Sequence, residues 1–109
     1  MKGYPKIYAE EIRKFEHAEI IILFGSVLNN KRFNDVDVLF ITNESKEVAK
    51  FCLSLSKVRT KPIVPLILEK KDFIKEIKNK KEVVLNIIKT GVILRGESRF
   101  LEVLKNVKQ

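Results

Sequence analysis

The sequence predicts an α/β (α+β) fold in which a small mixed β-sheet is packed with helices. Two apolar runs, Ile20–Phe24 and Val38–Ile41, are short, rich in β-branched and aromatic residues, and bounded by turn residues, so they indicate buried strands. Other segments carry apolar residues at helical spacing. Short strands that alternate with helices, without a long parallel series, are typical of helices packed against one small sheet.

Helices are predicted where apolar residues recur every three or four positions and polar residues fill the other positions. Pro5 stands at a favoured position just ahead of the first helix, Pro62 follows the second, and Gly91 follows the fourth in the way that glycine ends helices. The predicted helices are Ile7–Phe15, Lys46–Lys57, Asp72–Lys78, Glu82–Lys89 and Glu97–Val107, and a short helix could begin at Val27 and Leu28.

The predicted strands differ in how they are expected to lie in the sheet. After Asp37 the second strand is apolar on both faces, which is typical of a central strand covered on both sides. Pro65 interrupts the third apolar run and predicts an edge position or a bulge, because proline cannot donate to the ladder. The predicted strands are Glu19–Phe24, Asp35–Thr42, Ile63–Leu68 and Val92–Leu94.

Length and composition indicate one domain that spans residues 1–109. Its 45% hydrophobic and 33% charged residues are ordinary for a globular protein. No run approaches the roughly 18 apolar residues of a membrane span, and the first residues lack a signal-peptide core, so we expect a cytoplasmic protein without a membrane partner. The lone Cys52 excludes an intramolecular disulfide, and the lone His17 has no second histidine for a zinc pair. We therefore expect a core role for the cysteine and a surface or cap role for the histidine.

The net charge of +8, from 22 basic and 14 acidic residues, bears on the partners of the protein. It suits phosphate-rich ligands such as nucleotides or RNA ends, or an acidic protein. The densest lysine groups, Lys70–Lys71 and Lys78–Lys81, flank predicted helices, so a solvated lysine-rich face is the alternative interpretation. Abundant Lys, Glu and Ile with a single glutamine, Gln109, is typical of a thermophilic source.

Polar residues that are candidates for a functional site lie at the facing ends of the first two strands. Gly25 and Ser26 close the first strand, and Asp35 and Asp37 open the second. The two-residue period of a strand puts both carboxylates on one face, where they repel each other unless a cation lies between them. Mg²⁺ suits such a pair, and a Gly-Ser turn lets backbone N–H groups approach a phosphate. The sequence therefore predicts a metal–nucleotide site for phosphoryl or nucleotidyl transfer.

Each half of this pattern has a structural alternative, because a Gly-Ser pair is commonly a plain turn and an Asp-x-Asp pair is commonly a strand cap. Their occurrence together, at the ends of consecutive strands, favours the site. Lys31 and Arg32 in the connecting loop are candidates for contacts with a triphosphate, or are solvated loop residues.

The stretch is similar to the Gly-Ser…Asp-x-Asp signature of the polymerase-β-type nucleotidyltransferases, in particular their minimal archaeal and bacterial members. Phe24-Gly25-Ser26 and Asn34-Asp35-Val36-Asp37-Val38-Leu39 carry the resemblance. Looser resemblance extends to Pro65–Leu68, Asp72–Phe73 and Gly91–Gly96, and so to most of the chain. The resemblance implies a nucleotidyltransferase fold, with Gly25 and Ser26 at the triphosphate and Asp35 and Asp37 binding two Mg²⁺ ions.

The resemblance also implies an activity, in which NMP, AMP from ATP foremost, is transferred to a hydroxyl of a protein or RNA acceptor and pyrophosphate is released. The minimal members resemble antitoxins that inactivate a HEPN-type RNase toxin by adding AMP to a tyrosine. A partner chain of that type, or a homo-oligomer that completes the small site, is therefore one expectation. The sequence does not identify the acceptor, the base preference or the oligomeric state.

The chain departs from the family pattern in two places. Only eight residues, Val27 to Asn34, separate Ser26 from Asp35, and the usual Arg-Gly pair is missing. The third carboxylate of active members is expected near Val64, where there is no acid, and Glu69 lies at the wrong end of the strand to replace it. Two alternatives therefore stay open: a catalytically degenerate domain that binds a nucleotide or a partner, and an RNA-binding subunit that uses the basic surface.

Overall fold

The computed structural model of the protein describes residues 6–29 and 32–107, so Pro5 and Lys31 lie outside the described residues. The predicted helices and strands are all present, and their ends differ from the prediction by at most two residues. The helices are α1 (Lys6–Arg13), α2 (Ser45–Val58), α3 (Lys70–Lys78), α4 (Glu82–Thr90) and α5 (Glu97–Val107), and the strands are β1 (Ile20–Phe24), β2 (Val36–Ile41), β3 (Ile63–Leu68) and β4 (Val92–Arg95).

The strands form a mixed sheet in the order β3-β2-β1-β4. β1 is antiparallel to both β2 and β4, whereas β2 and β3 are parallel. β2, β3 and β4 therefore run in one direction and β1 runs in the other. The central position predicted for the second strand and the edge position predicted from Pro65 are both confirmed.

Helices cover both faces of the sheet, because residues on the inner strands are apolar on both sides. One face, with Ile21, Leu23, Val38 and Phe40, packs against α1 and α2. The other face, with Ile20, Ile22, Leu39 and Ile41, packs against α3, α4 and α5. Among the helices that the structure describes, none is long and apolar enough to cross a bilayer.

The first helix is shorter than its apolar pattern predicts. The pattern extends to Phe15, but α1 ends at Arg13. The N–H groups of Lys14 and Phe15 donate to carbonyl oxygens three residues back, at 3.3 and 3.1 Å, so the last turn tightens. Phe15 is nevertheless buried, and its ring packs edge-on against Phe40 with 5.5 Å between ring centroids. Phe15 thus fits the apolar pattern because it is buried in the core, although it lies beyond the end of α1.

The two ends of the sheet have different surroundings. At one end β1 finishes and β2 begins, with Phe24 opposite Asp37, and we call this the Asp37 end. At the other end β2, β3 and β4 finish, and the chain continues into α2, α3 and α5. We call it the Thr42 end, after the buried threonine that follows β2.

Candidate active site

Asp37 lies in the second position of β2, between a residue of each neighbouring strand. Its register partner on antiparallel β1 is Phe24, and its partner on parallel β3 is Val64. Residues in register point to the same face of a sheet, so these side chains form a row across the Asp37 end. Phe24 packs at the edge of the apolar cluster beneath α3, α4 and α5, and Asp37 therefore emerges on that face.

Asp35 lies two residues before Asp37, just outside β2, and both side chains are half-buried. Partial burial raises the pKa of Asp37, and the negative charge of Asp35 raises it further. The structure thus brings together the two carboxylates that the sequence singled out. Because the negative charge of Asp35 disfavours the charged form of Asp37, a divalent cation between them would relieve the repulsion.

Gly25 closes the site on the β1 side, directly against Asp37. Its φ of +85° and ψ of −161° fall in a region of backbone conformation that is essentially restricted to glycine. A β-carbon at this position would lie 3.2 Å from the Cβ of Asp37 and would overlap its Oδ2 atom. The glycine is therefore needed for two separate reasons, the turn of the chain and the room for the carboxylate.

Ser26 begins a single 3₁₀ turn, Ser26–Leu28, one residue earlier than the short helix that the sequence predicts. The turn is held by the N–H of Leu28, which donates to the carbonyl oxygen of Gly25 at 3.1 Å, and by the buried side chain of Val27. Ser26 itself is exposed. Its hydroxyl thus lies on the surface immediately after the residue that contacts Asp37.

Val64 occupies the place beside Asp37 on β3, with 43% of the residue exposed. Among the residues that the structure describes, no three Asp, Glu, His or Cys side chains are grouped so that they could hold a metal ion. Glu69 precedes α3 at the Thr42 end and pairs with Lys71 at 3.9 Å. Within the described ranges, the acidic groups of the site are thus the pair Asp35 and Asp37, without a third beside them.

A family model described as polymerase beta nucleotidyltransferase matches residues 7–100. The chain belongs to this family. Comparisons with curated proteins and with solved structures gave no match. Nucleotidyltransferases of the family generally bind nucleoside triphosphates and use divalent metal ions.

The donor set of this nucleotidyltransferase fits a divalent metal ion in part. Two carboxylates close enough to interact suit Mg²⁺, which usually takes one or two protein carboxylates and completes its shell with water and substrate phosphates. Because residue 25 is a glycine, it places no side chain beside the Asp37 carboxylate, where a β-carbon would overlap Oδ2. The two carboxylates thus suit a metal ion that takes its remaining ligands from water and the substrate.

A cleft of about 840 Å³ lies away from this site, at the Thr42 end of the nucleotidyltransferase. Its lining includes Glu19, Glu69, Arg95 and Arg99, which come from four separate segments. The carboxylate pair carries the chemical argument, because concavity alone does not provide a reacting group.

A hydrogen bond between the Thr42 side chain and the His17 backbone joins two segments of the chain at this cleft. The Thr42 hydroxyl donates to the carbonyl oxygen of His17 and accepts from the N–H of Glu44 at 3.0 Å. The His17 Nδ1 atom lies 3.2 Å from Glu44 Oε1 on the surface. His17 therefore has the surface role that the sequence predicts, and Cys52 is buried among apolar residues, as predicted.

Proposed function

We propose that this chain binds a nucleoside triphosphate, ATP foremost, together with Mg²⁺ and transfers its nucleotidyl group to a hydroxyl of a protein or RNA acceptor. The observation that carries the proposal is the half-buried pair Asp35 and Asp37 at the end of β2, with Gly25 against the second carboxylate. Membership of the nucleotidyltransferase family supports it. We further propose that residues 1–109 act as one minimal nucleotidyltransferase domain.

The proposal assigns a role to each residue of the site. Asp35 and Asp37 would hold two Mg²⁺ ions, and Gly25 and Ser26 would lie along the β- and γ-phosphates. Bound Mg²⁺ would supply Lewis-acid activation of the acceptor hydroxyl and neutralise charge on the triphosphate. The register of β1 with β2 pairs Phe24 with Asp37, so the end of β1 and the start of β2 are held together before substrate arrives.

The acceptor is proposed from the family resemblance alone. The minimal nucleotidyltransferases to which the motif is similar suggest an antitoxin that adds AMP to a HEPN-type toxin. A gene product encoded beside this chain is therefore the first acceptor to test.

The experiment is transfer of label from α-³²P-ATP, with Mg²⁺, to the neighbouring gene product or to an added RNA. Wild type is compared with the Asp35→Asn/Asp37→Asn double variant and with Glu102→Gln, which removes an exposed carboxylate on α5 far along the chain. We expect label on one acceptor with wild type and Glu102→Gln, and none with the double variant. Equal labelling by the double variant would refute the site.

A second candidate function is a binding module that recognises a nucleotide or a partner without turnover. The specific observation in its favour is Val64, an apolar residue beside Asp37 where a third acidic group could have completed the site. Retained ATP binding without transfer to any acceptor would favour this module. Partner binding that survives Asp37→Asn would favour it further.

A further inference from the structure

The carboxylate pair meets only part of what nucleotidyl transfer to a hydroxyl requires. The acceptor oxygen forms a bond to the α-phosphorus, the bond from that phosphorus to the β-phosphate oxygen breaks, and pyrophosphate leaves. The hydroxyl proton must pass to a base. In the proposed function, on which this inference rests, Asp35 and Asp37 hold metal ions whose positive charge makes these carboxylates weak proton acceptors, so efficient transfer calls for a further base.

The described part of the chain provides no such base at the site. No third Asp, Glu, His or Cys is grouped with the pair, and the residues outside the described ranges contain none of these four types. Lysine, arginine and tyrosine side chains hold their protons at neutral pH unless their pKa is strongly shifted. The position next to Asp37 is taken by Val64, which has no proton-accepting atom.

The surroundings of Val64 are open to an approaching molecule. β3 is an edge strand, and 43% of Val64 is exposed on the face that it shares with Asp37. The edge itself is poorly suited to adding another strand. The Ile63 N–H donates to Ser56 Oγ at 3.0 Å, and Pro65 has no N–H to offer. An acceptor would therefore reach Asp37 over Val64 with its side chains and not by main-chain pairing.

We infer that the acceptor supplies the missing base, as a carboxylate or imidazole that stands beside its own acceptor hydroxyl and lies over Val64 during transfer. This identifies the acceptor as a protein. RNA offers hydroxyl groups, but it carries neither a carboxylate nor an imidazole side chain. The inference thus narrows the choice between protein and RNA that the proposed function leaves open.

The first arm of the test restores the base within the chain. Pyrophosphate release from ATP and Mg²⁺ is measured with glycerol as a simple hydroxyl acceptor, for wild type, Val64→Asp and the matched amide Val64→Asn. We expect Val64→Asp to exceed wild type by about a hundredfold, the lower range for a positioned general base. Val64→Asn should match wild type, because an amide does not accept the proton.

The second arm leaves the chain unaltered and adds formate to wild type as a small carboxylate. We expect pyrophosphate release to rise with formate concentration in wild type and much less in Val64→Asp. A protein acceptor should be labelled by wild type without formate.

Binding of ATP with Mg²⁺, measured for each variant, distinguishes failure of the proposed function from failure of the inference about the base. If wild type does not bind ATP, the proposed function fails and the inference falls with it. If wild type and Val64→Asp both bind ATP but release pyrophosphate equally, with no effect of formate, the inference alone is overturned. Efficient transfer to an RNA oligonucleotide by wild type would also overturn it.

Discussion

Gly25 lies against the carboxylate of Asp37, so that a β-carbon on residue 25 would come within 3.2 Å of the Asp37 Cγ atom and overlap Oδ2. This contact joins the end of β1 to the start of β2 across the loop between them. It makes the conformation of the turn and the position of the carboxylate depend on one another. A substitution of either residue should therefore change the affinity for nucleotide.

Gly25→Ala should weaken nucleotide binding as well as lower the stability of the fold. Its backbone conformation disfavours any side chain, at a cost of about 1–3 kcal/mol, and the methyl group would also displace the Asp37 carboxylate. Gly96→Ala is the matched control, since Gly96 has a φ of +83° and its β-carbon would overlap the carbonyl oxygen of Glu19 at the Thr42 end. We expect both variants to melt at lower temperature, and only Gly25→Ala to lose ATP affinity by tenfold or more. Unchanged affinity in folded Gly25→Ala would contradict this coupling.

Asp37→Asn should stabilise the metal-free fold at neutral pH. Burial and Asp35 raise the folded-state pKa of Asp37 above its ordinary value of 3.8, so the native state binds the proton more tightly than the unfolded state. This carboxyl therefore lowers stability as pH rises through its folded-state pKa. Removing the charge should add on the order of 0.5 kcal/mol at pH 7, a small gain because the site is partly open to water.

The gain from Asp37→Asn should vanish well below pH 3.8, where the carboxyl is protonated in both states of wild type. Urea unfolding at neutral and acidic pH measures it. In the presence of Mg²⁺ and ATP the order should reverse, because the ligands stabilise wild type alone. If Asp37→Asn is less stable than wild type in metal-free buffer at pH 7, the repulsion between Asp35 and Asp37 is contradicted.

The Cys52 thiol should react slowly in the native protein. It lies on the buried face of α2, and burial raises its pKa to about 11 from the ordinary value of 9.0. The reactive thiolate fraction at pH 8 should then be roughly a hundredfold lower than in the unfolded chain. Reaction with a disulfide reagent, with and without denaturant, measures this ratio. Similar rates in the two conditions would show that the thiol is accessible.

Pro65→Thr should promote self-association through β3. The carbonyl oxygens of Pro62 and Leu68 accept N–H groups from the β2 side, so the alternate positions, including residue 65, face away from the sheet. Threonine would add an outward N–H to an edge that now offers few, and it favours strands. Sedimentation should detect larger species for Pro65→Thr and not for the control Val64→Thr. Identical sedimentation of all three proteins would rule out a protective role for the proline.

The sequence predicts the strands well where local composition decides the structure. The runs that became β1 and β2 are apolar on both sides and are buried, and Pro65 correctly indicated that β3 lies at an edge. The end of α1 was less predictable, since Phe15 is buried by packing on Phe40 and not by continuing the helix. Local patterns record which residues are buried, but not which element buries them.

The candidate site was predictable in its residues more than in its geometry. Gly25 and Asp37 carry a recognisable motif, but their direct contact depends on the register of β1 with β2. The cleft at the Thr42 end gave no signal in the sequence. It is lined by ordinary charged residues from separate segments, and only the folded chain brings Glu19 near Arg99, at 2.9 Å.

The most direct test of the account is calorimetric titration of ATP into the purified protein, with and without Mg²⁺, for wild type, Asp35→Asn, Asp37→Asn and Glu102→Gln. The account predicts Mg²⁺-dependent binding by wild type and Glu102→Gln, and a loss of tenfold or more in affinity for each aspartate variant. Binding of equal strength in all four proteins, or binding indifferent to Mg²⁺, would contradict a metal–nucleotide site at Asp35 and Asp37.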